Sequence, residues 1–181
     1  SEFASTYFPA WMMGRKGDLK IIQTTHTAEL AVRFGRKVRN IIDSEEYQHI
    51  FPELKLQADN KSAGRWTTNQ DGESYYAGVG GAITGRGADL LIIDDPHSEQ
   101  DAMSPKAMES AYEWYTSGPR QRLQPGGTIV IVMTRWSTKD LVGKVLKKQG
   151  EENADQWEIV EFPAIMPESE TPLWPEFWQK E

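Results

Sequence analysis

Two adjacent carboxylates after an apolar run are the first residues in this sequence that could do chemistry. Residues 90–93 are Leu-Leu-Ile-Ile, and Asp94, Asp95 and Pro96 follow them directly. In a nucleotide hydrolase, the first carboxylate of such a pair holds Mg²⁺, usually through water, and the second orients or deprotonates the attacking water. Strands also end in aspartate simply because a turn begins there, so the pair alone indicates a strand end as readily as a site.

Polar residues follow a second apolar run in the same way. Residues 128–133 are mostly apolar, and Thr134 and Arg135 come next. This is about where P-loop motors place a polar sensor beside the γ-phosphate. A threonine bonded to the backbone at a strand end, with an arginine in a surface ion pair, would explain the same residues without a nucleotide.

A glycine-rich segment, residues 80–87, precedes the acidic run and contains Arg86. Glycine adopts backbone conformations that other residues avoid, so the segment suggests a backbone shaped to present this arginine. An arginine in such a position can stabilise charge on a transferring phosphate, in cis or from a neighbouring subunit. The alternative is a flexible loop with a solvated arginine.

The histidines and tryptophans favour structural interpretations. His26, His49 and His97 are far apart and lack the spacing of metal ligands. A loop histidine such as His97 is expected to be structural or exposed. Trp11 and Trp114 lie at helical spacing and are predicted to be core residues.

The elements that must position these residues alternate between strands and helices. Strands buried on both faces have continuous apolar sequences, which is typical of a parallel sheet. The pattern therefore predicts a three-layer α/β domain with a mostly parallel sheet. The predicted strands are residues 19–24, 65–68, 74–79, 90–93, 128–133 and 157–162. The predicted helices are one from the start of the chain to about residue 14, and residues 27–42, 105–117 and 137–148.

In a sheet of this kind, ligands bind at the carboxyl ends of the strands. The residues Thr24 and Thr25, the two aspartates, and Thr134 with Arg135 are therefore expected at one edge of the sheet.

Three further predictions concern the helices. Phe3, Tyr7 and Trp11 recur at four-residue spacing, which predicts a first helix buried on most sides. Ser137 with Asp140 resembles a capping box that opens the last helix. The basic face of the helix over residues 27–42 is expected to be solvated, and a role in tracking DNA is the less favoured interpretation.

Composition limits the class of protein. The chain has 181 residues, enough for one domain with a sizeable core, and an ordinary hydrophobic fraction of 38%. Its net charge of -7 argues against a static, groove-coating nucleic-acid binder but allows a local basic patch. Without cysteine there is no disulfide framework and no thiolate metal site. No apolar run approaches the length of a membrane span, and no secretory signal is present.

Residues 80–96 and 132–136 resemble the ATPase domain of tailed-phage terminase large subunits, the motors that pump DNA into procapsids. The first of these segments reads GGAITGRGADLLIIDDP and the second reads VMTRW. The resemblance extends over nearly the whole chain. Residues 1–5 are similar to those just after Gly-Lys in the family's phosphate loop, and residues 173–176 are similar to the approach to its nuclease domain.

Carried over position by position, the resemblance implies five roles. Asp94 would be the Walker B ligand of Mg²⁺, and Ser1 would be the phosphate-loop hydroxyl that helps to bind it. Asp95 would take the place of the catalytic carboxylate, which is usually the longer glutamate in terminases. Thr134 would belong to the motif that couples phosphate sensing to DNA movement. Arg86 would match the arginine before Walker B that can act across a subunit boundary.

The resemblance also implies a fold, ligands and partners. The fold would be that of a P-loop NTPase of the RecA/ASCE-like type, with ATP and Mg²⁺ as cofactors. The partners would be double-stranded DNA, the portal protein and the small terminase subunit, around a homo-oligomeric, pentameric motor. The protein would act in the cytoplasm of the bacterial host, without a membrane.

Several parts of the family's sequence are missing from this chain. It has no adenine-recognition segment, no Gly-x-x-x-x-Gly-Lys loop with its preceding strand, and no nuclease domain. We therefore expect a fragment in which residues 1–165 form an ATPase domain lacking the Walker A loop. Residues 166–181 would be a linker toward the nuclease domain.

Two other functions remain open at this stage. The chain could be a helicase-like ATPase of the same fold, although motifs that contact single strands were not found. It could also be a non-catalytic interaction module that retained the sheet and lost turnover.

Overall fold

The computed structural model describes residues 1–83 and 85–178, apart from the side chains of residues 59–61. A π-helical turn at Phe3–Tyr7 opens the chain, and a 3₁₀ turn occupies Pro119–Arg122. The helices are α1 (Phe8–Arg15), α2 (Ala28–Ile42), α3 (Glu45–Ile50), α4 (Glu99–Ala102), α5 (Pro105–Ser117) and α6 (Leu141–Lys148). The strands are β1 (Lys20–Thr25), β2 (Leu56–Ser62), β3 (Arg65–Thr68), β4 (Glu73–Gly78), β5 (Ala88–Asp94) and β6 (Leu123–Val132).

The six strands form one mixed sheet in the order β2-β3-β4-β1-β5-β6. Strands β4, β1, β5 and β6 are parallel to one another, whereas β2-β3 and β3-β4 are antiparallel pairs. The prediction of an α/β fold with a mostly parallel sheet is confirmed.

The predicted hairpin of residues 65–68 and 74–79 is present as β3 and β4, with Arg65 opposite Tyr75. Asp71 in the connecting turn has a positive φ of 63°, a conformation that aspartate tolerates better than most residues. Strand β2 was not predicted, because residues 53–73 read as a polar connection. It lies at one edge of the sheet, where an apolar core face is not required.

The centre of the sheet is the most deeply buried part of the fold. Leu91, Ile92 and Ile93 of β5 are completely buried, as their continuous apolar sequence predicts. Helix α2 packs its inner residues, Phe34 and Val38, in the same core cluster as Ile92. Its first turn is closed by Thr27, whose hydroxyl accepts from the amide of Leu30.

The buried face of the first helix is formed mostly by small residues rather than by its aromatic ones. Phe3 is 83% exposed and Trp11 is 48% exposed, so the predictions of a helix buried on most sides and of a core Trp11 are wrong. The buried face contains Ser5, Thr6, Pro9, Ala10 and Met13. Small side chains at most of these positions allow the helix to approach the sheet closely. Trp114 in α5, also predicted to be core, is half-buried.

Two further sequence predictions need correction. The last helix begins at Leu141 rather than at Ser137, because Asp140 is the residue whose carboxylate accepts from the following turn. No strand forms in residues 157–162. Ile159, Val160 and Phe162 are exposed there, and no other part of the described chain pairs with this segment.

The chain divides into two compact units, Ser1–Val145 and Leu146–Glu181. The first contains the whole sheet. The second has a single β-bridge, between Ile165 and Pro172, and a stacked pair, Trp174 and Phe177, whose ring centroids are 5.1 Å apart. Whether residue 165 ends an ATPase domain, as the sequence predicts, stays a prediction. None of the helices in the described part of the chain is both long and apolar enough to cross a membrane.

Candidate nucleotide-hydrolysis site

Asp94, the last residue of β5, is held by two hydroxyl groups. The carboxylate is 1% exposed. Ser1 donates from Oγ to Oδ1 over 3.0 Å, and Ser5 donates from Oγ to Oδ2 over 2.6 Å. The structure thus brings together Ser1 and Asp94, the two residues for which the resemblance implies a role in holding Mg²⁺. Ser5 was not predicted, although it lies four residues after Ser1 and therefore on the same helical face.

Asp95 lies just beyond β5 with a positive φ of 44°. Its backbone amide donates to the carbonyl oxygen of Val132 over 2.8 Å and so extends the pairing with β6. Its Oδ1 accepts from the backbone amide of Thr134 over 3.3 Å. The side chain of Asp95 therefore contacts the backbone of Thr134, the residue for which the resemblance implies a role in coupling.

The carboxyl end of β1 reaches the same edge of the sheet. Thr24 is paired with Ile93 in register, and the backbone amide of His26 donates to the carbonyl oxygen of Asp95 over 3.1 Å. The expectation that the ends of β1, β5 and β6 meet is confirmed. His26 was expected to have no role in a metal site, and its contact here is with the backbone of Asp95.

A buried carboxylate, Asp140, holds the segment that follows β6. It accepts from Nε of Arg135 and from the backbone amides of Trp136, Ser137 and Gly143. Burial raises the pKa of Asp140, but these donors outweigh burial, so the pKa lies below the ordinary value of an aspartate. The ion pair expected for Arg135 is present, and its partner is this fully buried side chain.

His97 connects the acidic pair to α6. Its Nε2 accepts from the backbone amide of Leu141 over 3.0 Å, so the neutral ring completes the start of that helix. Burial lowers the pKa of His97, with smaller opposing effects from Asp140 and Asp101. The acidic pair, the Thr134 segment and the start of α6 are thus tied together by hydrogen bonds.

Arg86 lies away from the other predicted site residues. Its Nη1 donates to Oε1 of Glu73 over 2.5 Å, and its Cζ lies 4.1 Å from the ring centroid of Tyr75. Glu73 is the first residue of β4, so this cluster lies at the amino ends of the parallel strands. Asp94 is at the other end of β5, whose seven residues span about 20 Å. The structure therefore does not bring Arg86 to the acidic pair within one chain.

The glycine-rich segment has the unusual backbone that its sequence predicts. Gly80 and Gly85 have φ values of 80° and 76°, and the hydroxyl of Tyr75 donates to the carbonyl oxygen of Ala82 over 3.0 Å. Thr84, also in this segment, lies outside the described residues.

The donor chemistry at Asp94 fits Mg²⁺. This ion is commonly held by one or two carboxylates, with waters and substrate phosphates completing its ligands. Asp94 with Ser1 supplies that limited set of oxygens. The described residues contain no cluster of three or more His, Cys, Asp or Glu side chains, which a complete protein cage would need.

A surface depression of about 590 Å³ lies beside the first turns of α2. His26, Leu30, Arg33 and Arg36 are among the residues that line it, whereas Asp94 and Asp95 are not. This depression therefore does not mark the candidate site, which is defined by the polar residues at the ends of the strands.

The sequence matches no protein-family model and no curated protein. The resemblance to terminases thus depends on the sequence segments that carry it.

Proposed function

We propose that this chain is the hydrolysis half of the ATPase in a phage DNA-packaging motor, a terminase large subunit. The observation that carries the proposal is the meeting of Ser1, Asp94, Asp95 and Thr134 at the carboxyl edge of a parallel sheet. Ser1 and Asp94 face each other over 3.0 Å, and Asp95 accepts from Thr134. Three separate parts of the sequence therefore contribute to one polar site.

In this proposal each residue has a distinct task. Asp94 and Ser1 hold Mg²⁺, and Asp95 orients the attacking water and accepts its proton. Thr134 links the state of the phosphate to the segment held by Asp140. When bound, Mg²⁺ supplies positive charge that offsets the charge of the β- and γ-phosphates.

The outer edge of β6 supports the proposal independently. Ile129, Ile131 and Val132 are only partly buried, whereas residues of β5 with similar side chains are completely buried. Among the described residues, no strand pairs with this edge. A strand that leads into a phosphate loop would cover it, and the loop would then lie at the edge of the sheet that carries Asp94. We infer that a strand from outside residues 1–181 covers this edge in the active protein.

In this motor, Arg86 would act on the site of a neighbouring subunit. Because the ends of β5 are about 20 Å apart, Arg86 would reach the phosphates bound to a neighbouring subunit rather than those at its own Asp94. Contacts with Glu73 and Tyr75 keep the guanidinium ordered before assembly. Double-stranded DNA, a portal protein and a small subunit would be the partners of such a ring in the host cytoplasm.

The test is DNA-stimulated ATP hydrolysis by a polypeptide extended upstream of Ser1 through the phosphate loop. We expect activity in this polypeptide and a loss of at least about a hundredfold in Asp94→Ala and in Asp95→Ala. Circular dichroism and thermal unfolding of both variants would show that they remain folded. Unchanged activity in both variants would show that the acidic pair only marks the end of a strand, and would favour the non-catalytic interaction module.

A second experiment uses the 181-residue chain itself. Without a phosphate loop, it lacks the lysine and the backbone amides that bind phosphates in this fold. We expect no measurable ATP binding by calorimetry, and clear binding by the extended polypeptide. Tight binding by the shorter chain would contradict the proposal that ATP binding in this protein needs a phosphate loop.

A further inference from the structure

Two hydroxyl groups, one helical turn apart, contact the two oxygens of Asp94. Ser1 contacts Oδ1 and Ser5 contacts Oδ2, and the amide of Ser5 donates to the carbonyl oxygen of Ser1 over 2.7 Å. The proposed function gives Ser1 and Asp94 their roles but leaves Ser5 without one. Of the two contacts, that of Ser5 is shorter and fully buried.

Ser5 is itself fixed from a second direction. Its side chain is completely buried, and its carbonyl oxygen accepts from Nε2 of Gln23 over 3.1 Å. Gln23 is a fully buried residue of β1, the strand directly beside β5. Burying a glutamine side chain in the centre of a sheet costs free energy unless the side chain is hydrogen-bonded. The bond from Gln23 therefore restricts the position of the Ser5 backbone. The π-helical turn that contains Ser5 is thereby tied to the sheet, and π-turns occur frequently at functional sites.

A serine hydroxyl has one proton to donate, and Ser5 directs it at Oδ2 of Asp94. With Oδ2 engaged, the carboxylate has a single orientation, in which Oδ1 faces Ser1. Without this bond, the carboxylate could rotate, and Oδ2 would be buried without its partner.

We propose that Ser5, held by Gln23, is a positioning residue that orients the carboxylate of Asp94 toward the Mg²⁺ side of the site. This inference rests on the proposed function and adds a residue to it. It predicts that loss of the Ser5 hydroxyl weakens metal binding more than it weakens the fold. A hydrogen bond to a charged group is worth enough for an effect of about tenfold on affinity.

The chain offers a matched control at the next residue. Thr6 is as deeply buried as Ser5, and its hydroxyl has no hydrogen-bond partner among the described residues. Thr6→Val removes this hydroxyl with little change of shape. Any general effect of losing a buried hydroxyl from this turn would appear in both variants, whereas an effect on the carboxylate would appear only in Ser5→Ala.

The experiment uses the upstream-extended polypeptide with ATP present. Mn²⁺ binding is titrated by electron paramagnetic resonance, and the Mg²⁺ concentration for half-maximal hydrolysis is measured in parallel. We expect Ser5→Ala to raise the dissociation constant of Mn²⁺ and the half-maximal Mg²⁺ concentration about tenfold. Ser5→Thr should restore both values, and Thr6→Val should leave them unchanged. Gln23→Met removes the donor to the carbonyl oxygen of Ser5 and should also raise both values. This variant replaces Ser5→Ala in the test if Ser5→Ala does not fold.

The outcomes separate this inference from the proposed function. If Asp94→Ala abolishes hydrolysis while folded Ser5→Ala and Gln23→Met keep wild-type metal constants, the positioning role is wrong and the motor proposal stands. If Asp94→Ala retains full hydrolysis, both are overturned. Equal weakening of metal binding in Ser5→Ala and Thr6→Val would also reject a specific role for Ser5.

Discussion

The backbone amide of Thr134 donates to Oδ1 of Asp95 over 3.3 Å, and this bond joins the ends of two neighbouring strands. The amide of Asp95 returns a bond to Val132 over 2.8 Å, so the two segments contact each other through both side chain and backbone. Asp95 makes these contacts from a left-handed conformation, with φ of 44°. Strain of this kind is often retained where function requires a defined side-chain direction.

The first prediction concerns this conformation. Asp95→Gly and Asp95→Ala both remove the carboxylate, but only in the alanine variant does a β-carbon destabilise the left-handed backbone. We expect the free energy of unfolding of the glycine variant to exceed that of the alanine variant by about 0.5–1 kcal/mol. Urea denaturation measures the difference. The same pair of substitutions at Asp71, where φ is 63°, is the control and should give a difference of the same sign. An alanine variant as stable as the glycine variant at position 95 would show that the backbone is not strained there.

The central strands could be predicted because their sequences satisfy one dominant requirement. Residues 90–93 are apolar without interruption, since both faces of β5 are buried. Strand β2 was missed because it lies at an edge, where a polar sequence is compatible with pairing. Residues 157–162 have a strand-like sequence but pair with no strand of the described chain, so sequence preference alone was not sufficient.

The second prediction concerns Asp140, which accepts four hydrogen bonds from nitrogen donors around the start of α6. Asp140→Asn keeps the shape of the side chain but removes its negative charge. We expect it to lower the free energy of unfolding by about 1–3 kcal/mol at neutral pH. Asp18→Asn, at an exposed position, should have almost no effect.

The pH dependence of this effect has a definite sign. Because the folded pKa of Asp140 is lowered, its contribution is complete above the unfolded pKa of about 3.9 and is lost as the pH falls through the folded value. The wild type should therefore lose more stability than Asp140→Asn between about pH 5 and pH 2, and the two curves should converge in acid. A constant difference across this range would contradict the assignment.

The candidate site was predictable at the level of strand ends but not of individual contacts. Asp94, Asp95 and Thr134 were identified because ligands bind where parallel strands end. The partners Ser5 and Gln23 were not, since a buried serine and a buried glutamine have no distinctive spacing. Arg86 was identified as an arginine, presented by a glycine-rich segment, that could stabilise a transferring phosphate in cis or in trans. Only the sheet topology places it at the opposite edge from Asp94.

The third prediction concerns Gly35, in the middle of α2, where close packing and helix propensity favour opposite effects of a substitution by alanine. Propensity alone predicts that Gly35→Ala stabilises the helix by about 1 kcal/mol. A β-carbon there would lie 2.3 Å from the carbonyl oxygen of Ala63 and 2.6 Å from the ring of Tyr76. We therefore expect a net loss of about 1–3 kcal/mol in thermal or urea unfolding. Gly150→Ala, with no atom within 4 Å of the added carbon, should show no comparable loss. A more stable Gly35→Ala would mean that α2 and β4 are packed less closely than described.

The last prediction tests whether Arg86 acts across a subunit boundary. In the upstream-extended polypeptide, we expect Arg86→Ala and Asp94→Ala each to abolish DNA-stimulated hydrolysis alone. In a ring, an Arg86→Ala subunit keeps its Asp94 and can receive the arginine of an Asp94→Ala neighbour. An equimolar mixture should therefore recover about a quarter of the wild-type rate, because that fraction of subunit boundaries combines both intact residues.

Two controls decide the interpretation of the mixing experiment. A mixture of Asp94→Ala with Asp95→Ala should stay inactive, because both residues belong to the same end of β5. Arg65→Ala removes the other arginine that contacts Glu73 and should retain activity. Full activity of Arg86→Ala alone would remove Arg86 from the mechanism. An inactive mixture of folded, assembled Arg86→Ala and Asp94→Ala would mean that Arg86 serves its own subunit, through a rearrangement that carries it to the other edge of the sheet.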